Sequence, residues 1–160
     1  VLDGHSKTYA MTGWRLGFGV MPESLAPSIA RLQTNSNSCT ASFTQLAGIE
    51  ALHGDQSGAQ AMVKEFEARR DLVVGLLNEI PGVSCKLPGG AFYVFPNISQ
   101  LGVRCQDFAR TLLDEYGVAA LAGTSFGAHG DGYLRLSYAN SQENLREGVA
   151  RMRRYAETLV

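Results

Sequence analysis

Several absences narrow what this sequence does. Its three cysteines, Cys39, Cys85 and Cys105, lie far apart, without the close pairs that metal sites and disulfide scaffolds use. They read as reduced, partly buried thiols. No uninterrupted apolar run reaches the roughly 18 residues of a membrane span, and the N-terminal VLDGHSKTYA lacks the basic-then-apolar profile of a signal peptide. The expectation is a cytoplasmic protein without a membrane partner. Charge of one sign is missing too: 14 Lys and Arg stand against 15 Asp and Glu, for a net charge of -1. The basic residues are interleaved with acidic ones or scattered, as in 65–70 and 151–154, so the clustered basic face of a nucleic-acid binder is not there. No internal repeat or low-complexity tract occurs.

What remains is ordinary globular material. Hydrophobic residues make up 45% and charged residues 18% of 160 positions, enough for one domain with a core, or one domain plus an overhang. The chain opens on Val1-Leu2, which reads as the end of a strand, with no initiator Met. That beginning suggests a fragment.

Periodicity sets out the elements. Val1-Leu2 and 16–20 read as strands around a polar, hydroxyl-rich loop. From Pro22 a helical face of Leu25, Ile29 and Leu32 follows, ended by the polar stretch 33–38. A second helix from about Ser42 repeats Leu46, Ile49 and Leu52 and stops at Gly54. The longest helix runs from about Gly58 to Ile80, roughly 35 Å at about 1.5 Å per residue, and reads as a connector. Glu65 and Arg69 are spaced to pair along it.

Beyond Pro81-Gly82 the period becomes strand-like. Segments 83–87 and 91–95 read as strands joined by Pro88-Gly89-Gly90, 106–116 as a helix closed by Gly117, and 118–121 and 133–138 as two more strands. The last helix opens at Asn140 as its cap, with Glu143 completing a capping box and Leu145, Val149, Met152 and Ala156 as its buried stripe. The order strand, strand, helix, strand, strand, helix predicts an α+β layer with helices on one face of a small sheet. Residues 1–56, the helix 57–80 and residues 81–160 are the three parts expected.

The chemistry lies in Ser6-Lys7-Thr8-Tyr9-Ala10-Met11-Thr12-Gly13-Trp14-Arg15-Leu16-Gly17. A lysine confined in a loop beside hydroxyls, rather than on a solvated helix face, is one whose surroundings can make it a nucleophile. Eight residues on, Arg15 offers a planar fork suited to phosphate. Gly13 and Gly17 let the backbone come close. A cofactor with an aldehyde at one end and a phosphate at the other matches that pair.

This stretch resembles the pyridoxal-phosphate attachment signature of class I and II aminotransferases, in the form found in bacterial aspartate aminotransferase-like enzymes. The resemblance implies pyridoxal 5′-phosphate as cofactor, with Lys7 forming the Schiff base to it and then shuttling the proton between the substrate α-carbon and the cofactor. It implies that Arg15 binds the phosphate and that Ser6 assists beside the lysine. Downstream, Gly132-Tyr133-Leu134-Arg135-Leu136-Ser137-Tyr138 resembles the segment whose arginine clamps the substrate α-carboxylate, which makes Arg135 the substrate-binding residue. Pro88-Gly89-Gly90-Ala91-Phe92-Tyr93 resembles a strand near the entrance to the site. The implied fold is α/β and α+β: the end of the large domain (1–56) and the small C-terminal domain (81–160) of a fold-type I transferase. The partners implied are an amino acid, a 2-oxo acid and a second copy of the full-length enzyme.

The resemblance covers the whole chain but less than half of a full-length enzyme. The phosphate-holding loop, the aspartate that pairs with the pyridine nitrogen and a further residue near the cofactor oxygen lie upstream in the family; Asp3 is too near Lys7 to be that aspartate. Asp3, His5 and Cys39-Thr40 depart from the residues common at their positions. His5 reads as a loop histidine, and His53 and His129 as residues without a role. Amino-group transfer is the first expectation. A lyase or decarboxylase of the same fold is the alternative, since fold does not fix reaction. An inactive truncated piece that associates through exposed apolar residues around Val1, Phe18 and Phe43 is the non-enzymatic one.

Overall fold

Leu2–Gly4 (β1) and Gly17–Gly19 (β2) pair antiparallel, with Gly4 opposite Gly17, in the computed structural model, which describes residues 1–160. The connection between them holds a one-turn helix, His5–Thr8 (α1), and a 3-10 turn, Thr12–Trp14. The lysine segment therefore contains helix where an irregular loop is expected, because the amide of Tyr9 donates to the His5 carbonyl at 3.2 Å and closes a turn. Ala26–Asn37 (α2) and Ser42–His53 (α3) follow. The polar stretch 33–37 continues α2 instead of ending it: Asn35 and Asn37 bond back to Arg31 and Gln33 within the helix. Gly54 caps α3 as expected. Gly48 lets α3 sit down on the hairpin, since a Cβ there would lie 2.4 Å from a Leu16 methyl.

The chain divides into two compact units, Val1–Met62 and Val63–Val160. The division falls inside the long helix Ser57–Asn78 (α4), where Glu65 and Arg69 form the expected pair at 2.7 Å. The first unit buries little. Its stripes on α2 and α3 remain open, with Leu32, Leu46, Ile49 and Leu52 all exposed.

The second unit has the core. Tyr93–Val94 (β3), Cys105–Asp114 (α5), Leu121–Ala122 (β4), Leu134–Ser137 (β5) and Gln142–Ala156 (α6) build a three-stranded antiparallel sheet, ordered β3-β5-β4, with helices over one face. Val94 and Leu134 point into that core with Val73, Leu77, Phe108, Leu112, Val149 and Met152. The predicted strand 83–87 shrinks to a single bridge between Ser84 and Asn97, because Asn78 caps the Cys85 backbone from both sides, at 2.7 and 3.0 Å, and takes up the polar groups a ladder would use. The predicted strand 118–121 shifts to Leu121–Ala122. Gly117, with φ +66°, closes α5 by donating to the Leu113 carbonyl at 3.1 Å, an αL cap. α6 is capped by Ser141, which accepts from the Asn144 amide at 3.2 Å, and not by Asn140. Asn140 instead accepts from the Ser141 amide. Cys85 and Cys105 are buried and Cys39 is exposed; burial raises the Cys85 thiol above its ordinary pKa, which suits an inert core thiol. No helix is long and apolar enough to cross a membrane.

Candidate active site

The register of the first hairpin places Lys7 and Arg15 in one short connection. The amide of His5 donates to the Leu16 carbonyl at 3.2 Å, so the ends of segment 5–16 are tied together immediately beyond the Gly4–Gly17 pair. Lys7 is exposed, and Ser6 beside it is half-buried. Arg15 adopts a left-handed backbone, φ 55° and ψ 51°, a conformation that costs a non-glycine residue roughly 1–2 kcal/mol. Its guanidinium donates Nη1 to the Thr12 carbonyl at 3.0 Å, and the residue is exposed. A left-handed residue that aims a cation is the kind of strained position found at functional sites.

Arg15 lines a broad concavity of about 1230 Å³ with Trp14, Phe18, Cys39 and Phe43. Lys7 and Ser6 are not among its lining residues. His5 is buried, and neither ring nitrogen has a hydrogen-bond partner; its ring packs on Tyr9 at 5.6 Å and edge-on to Phe18 at 5.8 Å. An ordinary loop histidine would be wet, so His5 belongs to the packing beneath α1. His53 and His129 are exposed.

In the second unit, Arg135 sits on β5, as its apolar neighbours suggest. Leu134 is fully buried on one face of the sheet, and Arg135 emerges on the other, opposite Leu121 of β4. Its guanidinium carbon lies 4.3 Å from the ring centroid of Tyr93 and 4.5 Å from that of Phe126. It makes no hydrogen bond or ion pair within the chain, in contrast to Arg69, Arg70, Arg104 and Arg151, each of which is bound to a carboxylate. A cation lying against rings, with its in-plane donors unspent, is ready to receive a carboxylate from outside.

The family profile of aminotransferase class I and II matches residues 1–152. The chain belongs to this aminotransferase family. Among its relatives, an aspartate aminotransferase of Pyrococcus horikoshii is 46% identical over 97% of this chain and 40% of its own length. A putative aminotransferase, YugH, of Bacillus subtilis is 43% identical over 97% of this chain and 40% of its length. Among solved structures, an aromatic aminotransferase from Pyrococcus horikoshii superposes with a TM-score of 0.94 at 40% identity, covering 99% of this chain and 43% of that one. The aspartate aminotransferase from Rhizobium meliloti gives 0.92 at 35% identity, covering 98% and 41%. The chain thus spans about 40% of the length of the curated relatives it matches.

For an aminotransferase of this family, the fold is mixed α/β, as it is here. Of the two rings that lie on Arg135, one escapes a motif reading. Tyr93 stands in the Gly-Gly-Ala-Phe-Tyr run, but Phe126 lies nine residues before the arginine in a Gly-rich stretch, and only the antiparallel return of β4 to β5 brings it back.

Proposed function

We propose that this chain is the C-terminal part of a pyridoxal-phosphate-dependent aminotransferase, with residues 1–56 ending its large domain, 57–80 forming the connecting helix and 81–160 forming its small domain. The observation that carries the reading is the hairpin connection 5–16, closed by the His5–Leu16 bond, which brings Lys7 and an arginine held in a left-handed turn into one short segment. Family membership supports reading that pair as a cofactor site.

The residues present fit the cofactor at two of its ends. Lys7 is an exposed residue with a primary amine, the group that condenses with an aldehyde carbon, and Arg15 has in-plane donors left over after its bond to Thr12 for a phosphate. Ser6, next to Lys7 on α1, supplies a hydroxyl. When bound, pyridoxal 5′-phosphate supplies the electron sink that lowers the cost of removing the substrate α-proton. Lys7 would hold the cofactor through its Nζ and would move the proton at the substrate α-carbon. Arg15 anchors the phosphate and Arg135 takes the substrate α-carboxylate in two parallel bonds. In the full-length protein the exposed apolar side chains of 1–62, such as Phe43 and Leu46 at 68% exposure, pack against the rest of the large domain, and two copies form a dimer.

The test is a substrate screen on the full-length protein with pyridoxal phosphate, following conversion of a 2-oxo acid acceptor to its amino acid and of the donor to its oxo acid. Stoichiometric exchange supports amino transfer. Release of ammonia or carbon dioxide with no exchange replaces it with a lyase or decarboxylase.

A further inference from the structure

The outer face of the small sheet carries one cation among aromatic rings. Tyr93 pairs with Ser137 and Val94 with Leu136, so the alternation of strand faces puts Tyr93, Phe95, Tyr133 and Arg135 on the face away from the helices. Phe95 stacks on Tyr133 at 5.3 Å and meets Phe126 edge-on at 6.1 Å. Phe126, although 49% exposed and followed by Gly127, is therefore braced by a second ring. Tyr93 is braced from its own backbone: the neighbouring Phe92 carbonyl accepts the Tyr138 amide at 3.0 Å, and the Ala91 carbonyl accepts the Tyr138 hydroxyl at 2.7 Å.

An arginine side chain on an open sheet face has many rotamers, and each must be given up when the fork engages a carboxylate. Ring contacts remove that freedom in advance without using a single N–H, because the attraction is to the faces of the rings while the donors stay in the guanidinium plane. A carboxylate partner would also fix the side chain, but it would consume the fork.

We propose that Tyr93 and Phe126 are positioning residues for substrate binding, holding the Arg135 guanidinium in the orientation that receives the α-carboxylate. This rests on the reading of Arg135 as the carboxylate site. Neither ring needs to touch the reacting atoms.

The test compares Tyr93→Leu, Phe126→Leu, Tyr93→Phe and Arg135→Ala in the full-length holoenzyme, with pyruvate or 2-oxoglutarate as acceptor, whichever supports turnover, and circular dichroism to confirm folding. Each leucine variant is expected to raise KM for the acceptor about two- to fivefold, the scale of one solvent-exposed cation–aromatic contact, with kcat unchanged. Tyr93→Phe, which keeps the ring, is expected to retain the original KM. If Arg135→Ala raises KM strongly while both leucine variants leave it unchanged, or lower kcat alone, the positioning role is overturned. If Arg135→Ala itself leaves KM unchanged, the carboxylate reading fails instead. Because Phe126 is half-exposed, Phe126→Leu decides the matter even if Tyr93→Leu unfolds.

Discussion

The Tyr138 hydroxyl donates to the Ala91 carbonyl at 2.7 Å across 47 residues of sequence. Ala91 has a left-handed backbone, φ 62°, which an alanine adopts only under constraint. The bond supplies that constraint and ties the Gly89-Gly90-Ala91 turn to the end of β5, so that Tyr93 arrives beside Arg135. Burial raises the Tyr138 phenol above its ordinary pKa.

A raised folded-state pKa means that the folded form holds the proton more tightly. Its contribution is therefore complete below the unfolded phenol value of about 10 and is lost as pH climbs through the folded value. Spectrophotometric titration is expected to show a phenol ionising above the ordinary tyrosine range, and Tyr138→Phe is expected to remove that late step. The same variant is expected to lose about 1 kcal/mol of stability at neutral pH, measured by urea denaturation.

Phe108 is fully buried in the core of the second unit. Phe108→Ala is expected to cost about 3–5 kcal/mol in chemical denaturation. Leu46→Ala, at a position 68% exposed in this chain, is expected to change stability by less than about 0.5 kcal/mol. A large loss from Leu46→Ala would mean that something already covers the α3 stripe.

Ser141→Ala removes the side chain that accepts the Asn144 amide at the start of α6 and is expected to cost about 1 kcal/mol. Asn140→Ala, whose bonds to Ser141 and Asn144 are exposed, is expected to cost less. Thermal denaturation of the two variants ranks them, and the reverse order would restore Asn140 as the cap.

Arg15→Ala is expected to weaken binding of pyridoxal 5′-phosphate by roughly ten- to a hundredfold, the worth of a charged hydrogen bond, while leaving binding of unphosphorylated pyridoxal unchanged. Absorbance titration with the two compounds separates a phosphate anchor from a general effect on the hairpin. Equal losses for both would remove Arg15 from the phosphate role.

Sequence and structure agree where a local rule decides the outcome. Gly54 and Gly117 end helices because a residue without a Cβ suits each turn, and the stripe Leu145, Val149, Met152, Ala156 is buried because its spacing fixes one helix face. They differ where tertiary contacts decide. The turn at Lys7 is helical because of a five-residue hydrogen bond that hydroxyl-rich composition hides, and segment 83–87 loses its ladder to the Asn78 side chain. The α2 and α3 stripes are legible as helix faces, yet Leu32, Leu46, Ile49 and Leu52 stay exposed, because periodicity marks an apolar face without showing what it packs against. The proposed site residues Lys7, Arg15 and Arg135 stand out through a family resemblance, whereas the contact of Phe126 with Arg135 follows from strand pairing.

The most direct test of the account is to incubate the protein with pyridoxal 5′-phosphate, reduce it with borohydride and locate the pyridoxyl adduct by peptide mass spectrometry, with Lys7→Ala as control. The account predicts a single stable adduct on Lys7 that disappears in the variant. An adduct spread over Lys7, Lys64 and Lys86 alike, or none on a folded protein, would contradict it.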